Sequence, residues 1–260
     1  LYKFNYLLYN YQRKKLEVIK MFKNKRILLV ALLFGIFTFT ACSKKDISEV
    51  LENAKNVNNT VNSYYLVNGI SNESTGKLKT QLMKAQIFVD PISKNVSKGI
   101  AEIDYNGPAN EAENSYIAKM VGDQNRTLIL TKMIDGIEDT SEKTNVTYSI
   151  NPDYFKLLKG IYAFNQNDFE LEEKDDEYRI KFKDGANSSD IYKLLETEYK
   201  LKLDKVTPNE VKFSFEAVFI KDSYYLKRIH WTADYSGQKG LVKIECTTSY
   251  SDWNSVNLEK

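Results

Sequence analysis

Lys212–Tyr250, KFSFEAVFIKDSYYLKRIHWTADYSGQKGLVKIECTTSY, decides the fold. Phe213, Phe215, Ala217 and Phe219 fall on one side of an alternating segment. Tyr225, Ile229, Trp231, Ala233 and Tyr235 do the same in the next, with Lys227 breaking the pattern. Val242, Ile244, Cys246 and Tyr250 mark a third. A period of two belongs to strands with one buried face. The links Lys221-Asp222-Ser223 and Ser236-Gly237 are too short for a crossover, so the stretch predicts an antiparallel meander.

The same period runs upstream. Tyr64–Ile70 and Lys77–Val89 read as strands joined by the turn composition Ser71–Gly76, and Asp90-Pro91 ends the second. Val96–Tyr105, Ser115–Val121 and Arg126–Ile134 follow, then a short strand over Val146–Ile150. Phe169–Glu173 and Tyr178–Lys183 predict a hairpin over Asp175-Asp176. Three segments take the helical period instead. The first runs from Asp46, a capping residue, to Asn58, with Ile47, Val50, Leu51, Ala54 and Val57 on one stripe. Asn151-Pro152-Asp153 opens the second with Asn151 as cap, and Phe155, Leu158, Ile161 and Tyr162 form its apolar face. Ser188 or Ser189 caps the third, with Ile191, Leu194 and Leu195 inward. The sum is an α+β chain: one large curved antiparallel sheet, an N-terminal helix and two inserted helices.

Ahead of this, Met21–Cys42 reads MFKNKRILLVALLFGIFTFTAC. Lys23, Lys25 and Arg26 precede an uncharged apolar run, Ile27–Phe39, and Ala41 is small. That is the anatomy of a secretory signal, and the run is short for a membrane span, which needs about 20 apolar residues. Residues 1–20 read as translated upstream sequence, since Met21 is the natural initiator and codons for Leu16-Glu17-Val18 can hold a ribosome-binding site. A longer genuine N-terminus is the alternative. Residues 21–41 are then the signal peptide, 42–45 a tether and 46–260 one domain. Removing the first 41 residues takes away eight basic residues and one acid. The 37 basic and 35 acidic residues become 29 and 34, and the net charge turns from +2 to −5. Nothing in such a charge balance argues for nucleic acid, which needs a basic face, and none is expected as a partner.

Chemistry is sparse. The one histidine, His230, alternates with Leu226, Arg228 and Thr232, away from the aromatic face. No HExxH, GxSxG, Walker A or dinucleotide fingerprint occurs. Ser74–Lys77 and Ser236–Lys239 match Ser-x-x-Lys but fall in turns. The acids Glu170, Glu172, Glu173, Asp175, Asp176 and Glu177 cluster at a hairpin tip without calcium-loop spacing. Cys246 has no partner for an intrachain disulfide if Cys42 is modified, and its phase makes it a small core residue. No catalytic residue, metal ligand or cofactor is expected, and the chain is read as a non-enzyme. Its prominent feature is aromatic content, 13%. A curved sheet must fill its concave side with helices or hold an apolar ligand. Both readings stay open. The candidate lining is Phe155, Leu158, Ile161, Phe213, Phe215, Phe219, Tyr225, Trp231 and Tyr235.

Phe39-Thr40-Ala41-Cys42 resembles the lipobox of bacterial lipoproteins, with Phe39 where that family usually has Leu. The resemblance implies a leader cut before Cys42, a diacylated (palmitate-type) Cys42 and a chain anchored on the extracytoplasmic face of the cell membrane. Secretion without disulfides fits a Gram-positive surface. Ser43-Lys44-Lys45 would hold the domain close to the bilayer. From Ile47 to Trp253, the order of apolar helix, long antiparallel strands, inserted helices and final meander resembles the LolA and LppX superfamily, half-barrels that carry lipoproteins or lipids. That resemblance implies a membrane-anchored binder of a lipid, glycolipid or acyl chain. The competing expectation is an adhesin or envelope assembly factor with a solid core, no ligand and an unknown protein partner.

Overall fold

Asp46 starts the described fold, its carboxylate accepting the Glu49 amide at 2.8 Å. It thereby caps helix α1, Ile47–Asn58. The computed structural model describes residues 45–107, 116–122, 126–134, 137–146 and 150–257. The expected upstream segment, signal peptide, Cys42, Ser43 and Lys44 lie outside the described residues. So do Ser115 at the start of a predicted strand and residues 147–149 of the expected strand Val146–Ile150. The fold described is that of the compact unit Asp46–Lys260.

Eleven strands build one sheet: β1 Ser63–Ser74, β2 Lys77–Val89, β3 Val96–Asn106, β4 Tyr116–Gly122, β5 Arg126–Ile134, β6 Ile137–Val146, β7 Phe169–Lys174, β8 Glu177–Phe182, β9 Lys212–Ile220, β10 Leu226–Gly237 and β11 Gly240–Ser251. Their order is β6-β5-β4-β3-β2-β1-β11-β10-β9-β8-β7. Every neighbouring pair is antiparallel. Two meanders therefore meet at a central seam between the first and last strands, where Leu66 lies opposite Tyr250 and Ile70 opposite Cys246. Strands β6 and β7 are both edges, so the curved sheet stays open, and the chain is α+β as its periodicity predicts.

That order explains where the inserted helices go. The chain leaves β6 at one edge and enters β7 at the other, so the segment between must cross the sheet. Helix α2, Tyr154–Tyr162, lies in that crossing. Its Tyr154 stacks on Tyr64 of β1, centroids 5.0 Å apart, and meets Tyr250 of β11 edge-on at 4.8 Å. Helix α3, Ser189–Glu198, sits between β8 and β9. Its Ile191, Leu194 and Leu195 are buried as expected.

Two local expectations are corrected, and one strand was not expected. The cap of α2 is Asp153, whose Oδ1 accepts the Phe155 and Lys156 amides at 3.0 Å, and not Asn151, which lies two residues too early. The buried face of α2 is Tyr154, Leu157, Leu158 and Ile161, so Phe155 and Tyr162 stand at its border. Strand β6 reads IEDTSEKTNV, with no apolar alternation, and hydrogen bonding to β5 makes it a strand.

The core fills the inner face. Met83, Ala85 and Ile87 of β2, Leu66 of β1, and Ala217, Phe219, Ile229, Trp231 and Ala233 of the last meander are almost fully buried. Two polar groups sit in this core with their partners. Asn68 Oδ1 accepts from Thr248 Oγ1 at 2.7 Å and from Cys246 Sγ at 3.2 Å, while Tyr199 Oη lies 2.9 Å from Thr248 Oγ1. Burial pushes the Cys246 thiol up to about 12, so it stays protonated and inert, as its phase predicts.

Candidate functional site

The expected ligand-lining residues do not share one described groove. Ile161, Phe213, Phe215, Phe219 and Trp231 belong to the packed interior and line none of the described grooves. Phe215 is hemmed in by Phe164, with centroids 5.5 Å apart, and by Phe169 at 6.3 Å. Trp231 meets Tyr199 at 5.2 Å. Tyr225 stacks on Trp253 at 4.9 Å. Helices and aromatic side chains thus pack against the buried face of the last meander. Phe155 and Leu158 line one described groove, and Tyr235 lines another.

Phe155 and Leu158 form the floor of a groove of 400 Å³ between α1, α2 and the turn from β2 to β3. Its size suits a small ligand, for which about 300–1,000 Å³ is usual. Lys55 of α1, Lys159 of α2 and Lys94 of the turn stand around it, and Tyr162 closes one wall. Lys94 is held in place. Its Nζ donates to the Val61 carbonyl at 3.4 Å and lies 5.4 Å from the Phe155 ring centre. The turn beneath it is fixed by Asp90, whose Oδ1 accepts the Ile92 and Ser93 amides at 3.0 and 2.6 Å. The Tyr162 hydroxyl is buried beside the Asn58 amide. Burial drives its phenol above the ordinary range, against a weaker opposing effect of the Asn58 amide.

A second groove, 530 Å³, lies on the other flank of α2 against α3. Lys159 and Ala163 line both. Phe164, Gly160 and Leu194 give this one an apolar floor, and Lys156 and Lys193 add positive charge at its rim. The carboxylates here are engaged. Glu198 accepts the Asp153 amide at 3.1 Å, and Asp190 accepts that of Asn165 at 3.2 Å. The arrangement suits an amphiphile, with apolar floor for a chain and lysines for an anionic head.

The sequence matches no protein-family model and no curated protein. Two solved structures are similar over most of their length. LprF from Mycobacterium bovis is 11% identical, with 82% of this chain and 95% of that one covered, at a TM-score of 0.43. A DUF1329 family protein from Desulfovibrio piger is 10% identical, with 83% and 96% covered, at a TM-score of 0.26. These likenesses assign no site to this chain.

The remaining polar clusters are structural. The acids of the β7–β8 hairpin pair with neighbouring cations: Glu172 with Lys181, Glu173 with Lys221 at 3.5 Å, and Glu177 with Arg179 at 2.6 Å and Lys227 at 2.8 Å. His230 Nδ1 lies 3.0 Å from Thr247 Oγ1, half-buried on the outer face. Among the described residues no three His, Cys, Asp or Glu side chains gather to hold a metal, and no helix is long and apolar enough to cross a membrane. The lysine-rimmed groove was not legible in the sequence, because its residues come from three segments with no shared motif.

Proposed function

We propose that this protein is a membrane-held lipoprotein, anchored through Cys42 on the extracytoplasmic face, that binds an amphiphilic ligand in the groove between α1 and α2. The observation that carries this is the apolar floor of Phe155 and Leu158 under Lys55, Lys94 and Lys159. An acyl chain lies on the floor, and a phosphate or carboxylate meets the lysines. The protein acts by binding and performs no reaction on its ligand. The ligand sits on the helix layer and not among the aromatic residues of the meander. Lipid extraction and mass spectrometry of the full chain purified from its host tests this. Wild type is expected to release an amphiphile that Phe155→Glu does not. An empty wild type that also fails to bind a fluorescent fatty acid or phosphatidylglycerol would overturn the reading.

The filled interior of the last meander supports a second reading, a surface interaction protein such as an adhesin or envelope assembly factor. In that case cross-linking on intact cells captures a specific protein through the outer face of the sheet, and the host-purified chain carries no lipid.

A further inference from the structure

The β1–β2 and β10–β11 hairpins end side by side. Ser74 lies opposite Val242 across the central seam, and the Thr75 amide donates to the Leu241 carbonyl at 3.3 Å. Two large apolar side chains protrude at these tips, Leu78 at 52% and Leu241 at 77% exposure. By strand alternation both point to the outer face. On the inner face of the same tips is a cleft of 470 Å³, and Lys77, Lys79, Lys239, Asp204 and Tyr235 line it. The Asp204 carboxylate already accepts the Lys239 amide at 3.3 Å, and its Oδ2 stands 3.0 Å from where a Cβ on Gly237 would lie. It therefore clasps the β10–β11 turn from below. Among the described residues neither Lys79 nor Lys239 enters an ion pair. Lys79 and Lys239 against the one carboxylate of Asp204 leave this cleft positive.

We infer that the paired hairpin tips dock end-on onto an anionic bilayer, with a lipid phosphate in the Lys77–Lys79–Lys239 cleft and Leu78 and Leu241 entering the apolar layer. The pairing of chemistries selects this partner. A soluble anion would use the lysines and ignore the leucines, and an apolar protein surface would use the leucines and repel the lysines. Each lysine near an anionic surface contributes on the order of 1 kcal/mol, and each inserted methylene group up to about 0.8 kcal/mol. Such a contact is weak alone and effective as the second signal beside a lipid anchor. The inference rests on the membrane-held reading above, but on a part of the molecule distant from the proposed groove. Strand β2 runs 13 residues from this tip to the turn that carries Lys94.

Hydrogen exchange on the purified full chain, reconstituted into vesicles of phosphatidylcholine with or without phosphatidylglycerol, tests it. Amides 74–78 and 237–241 are expected to exchange at least fivefold more slowly in the anionic vesicles. Lys79→Glu/Lys239→Glu and Leu78→Ser/Leu241→Ser, all changes at exposed positions, are each expected to abolish that difference. Equal protection in both vesicles would overturn the inference, as would none in either. Protection by soluble glycerol phosphate without vesicles would make this a free-phosphate site and overturn the docking. Failure of the lipid-extraction test would leave this measurement unchanged, so the two readings fail separately.

Discussion

The Tyr154 hydroxyl donates to Asn58 Oδ1, which ties the first turn of α2 to the last turn of α1. Asn58 is 1% exposed, and its amide does more than close a helix. Its Nδ2 donates to the Ala54 carbonyl at 2.6 Å and the Tyr224 carbonyl at 2.9 Å, and Oδ1 also accepts the Leu226 amide at 3.3 Å. One side chain therefore joins both walls of the proposed groove to the β9–β10 turn. Asn58→Leu strands several buried polar groups and is expected to cost about 2–4 kcal/mol. Tyr154→Phe is expected to cost about 1–2 kcal/mol. Urea unfolding of the single and double variants should give a coupling above about 0.5 kcal/mol. Strict additivity would show that the pair does not act as a unit.

Glu198 should make stability fall as pH rises. Burial is the main cause that raises its carboxyl above the usual range, and the Asp153 amide opposes this only in part. A carboxyl raised in the folded state binds its proton more readily there than in the unfolded chain. Its cost is thus absent below the unfolded value, about pH 4.3, and grows as pH rises through the folded value. Glu198→Gln retains an acceptor for the Asp153 amide without the charge. It is expected to unfold at higher urea than wild type at pH 7, with the gain disappearing near pH 4. Parallel curves across that range would exclude the assignment.

The sheet was legible because its central strands are buried on one face only. In β9, Phe213, Phe215, Ala217 and Phe219 are buried while Lys212 and Ser214 are exposed, so alternation and burial coincide. Asp46, the Asp175-Asp176 turn and Cys246 were legible for similarly local reasons. What the sequence hid is what depends on contacts distant in the chain. Strand β6 has no apolar phase, and its pairing with β5 cannot be read from composition. Asn58 looks like an ordinary helix end until Tyr154 and Tyr224 arrive from 96 and 166 residues away. The aromatic residues of the meander suggested a lined cavity, yet the same composition is what a filled interior needs. Whether Phe164, Tyr154 and Tyr199 occupy the concave side depends on where the crossing segment and the helices are laid, which no local pattern encodes.

Gly160 sets how closely α2 approaches α3. A Cβ there would stand 2.4 Å from Leu194 Cδ1. Gly160→Ala gains about 1 kcal/mol of helix propensity and meets an overpacking cost of about 1–3 kcal/mol. Net destabilisation is expected, read as a lower urea midpoint, because Leu194, 6% exposed, must leave its packed position for the groove it lines. Gly160→Ala/Leu194→Ala should then be more stable than Leu194→Ala alone, since the added methyl enters space the leucine vacated. A double variant no better than Leu194→Ala would show that backbone freedom, and not the close approach, is what the glycine provides.

Interior and groove make opposite predictions for truncation. Phe215 is 3% exposed and enclosed by Phe164 and Phe169. Phe215→Ala leaves a cavity and is expected to cost about 3–5 kcal/mol. Phe155 is half-buried at the groove, so Phe155→Ser loses less packing and is expected to cost about 1–2 kcal/mol. Ligand retention should run the other way. Per folded molecule, Phe215→Ala keeps the wild-type amount of bound amphiphile, while Phe155→Ser loses most of it. If Phe215→Ala instead empties the protein at unchanged stability, the concave face holds the ligand after all, and the helices α2 and α3 must move aside to admit it.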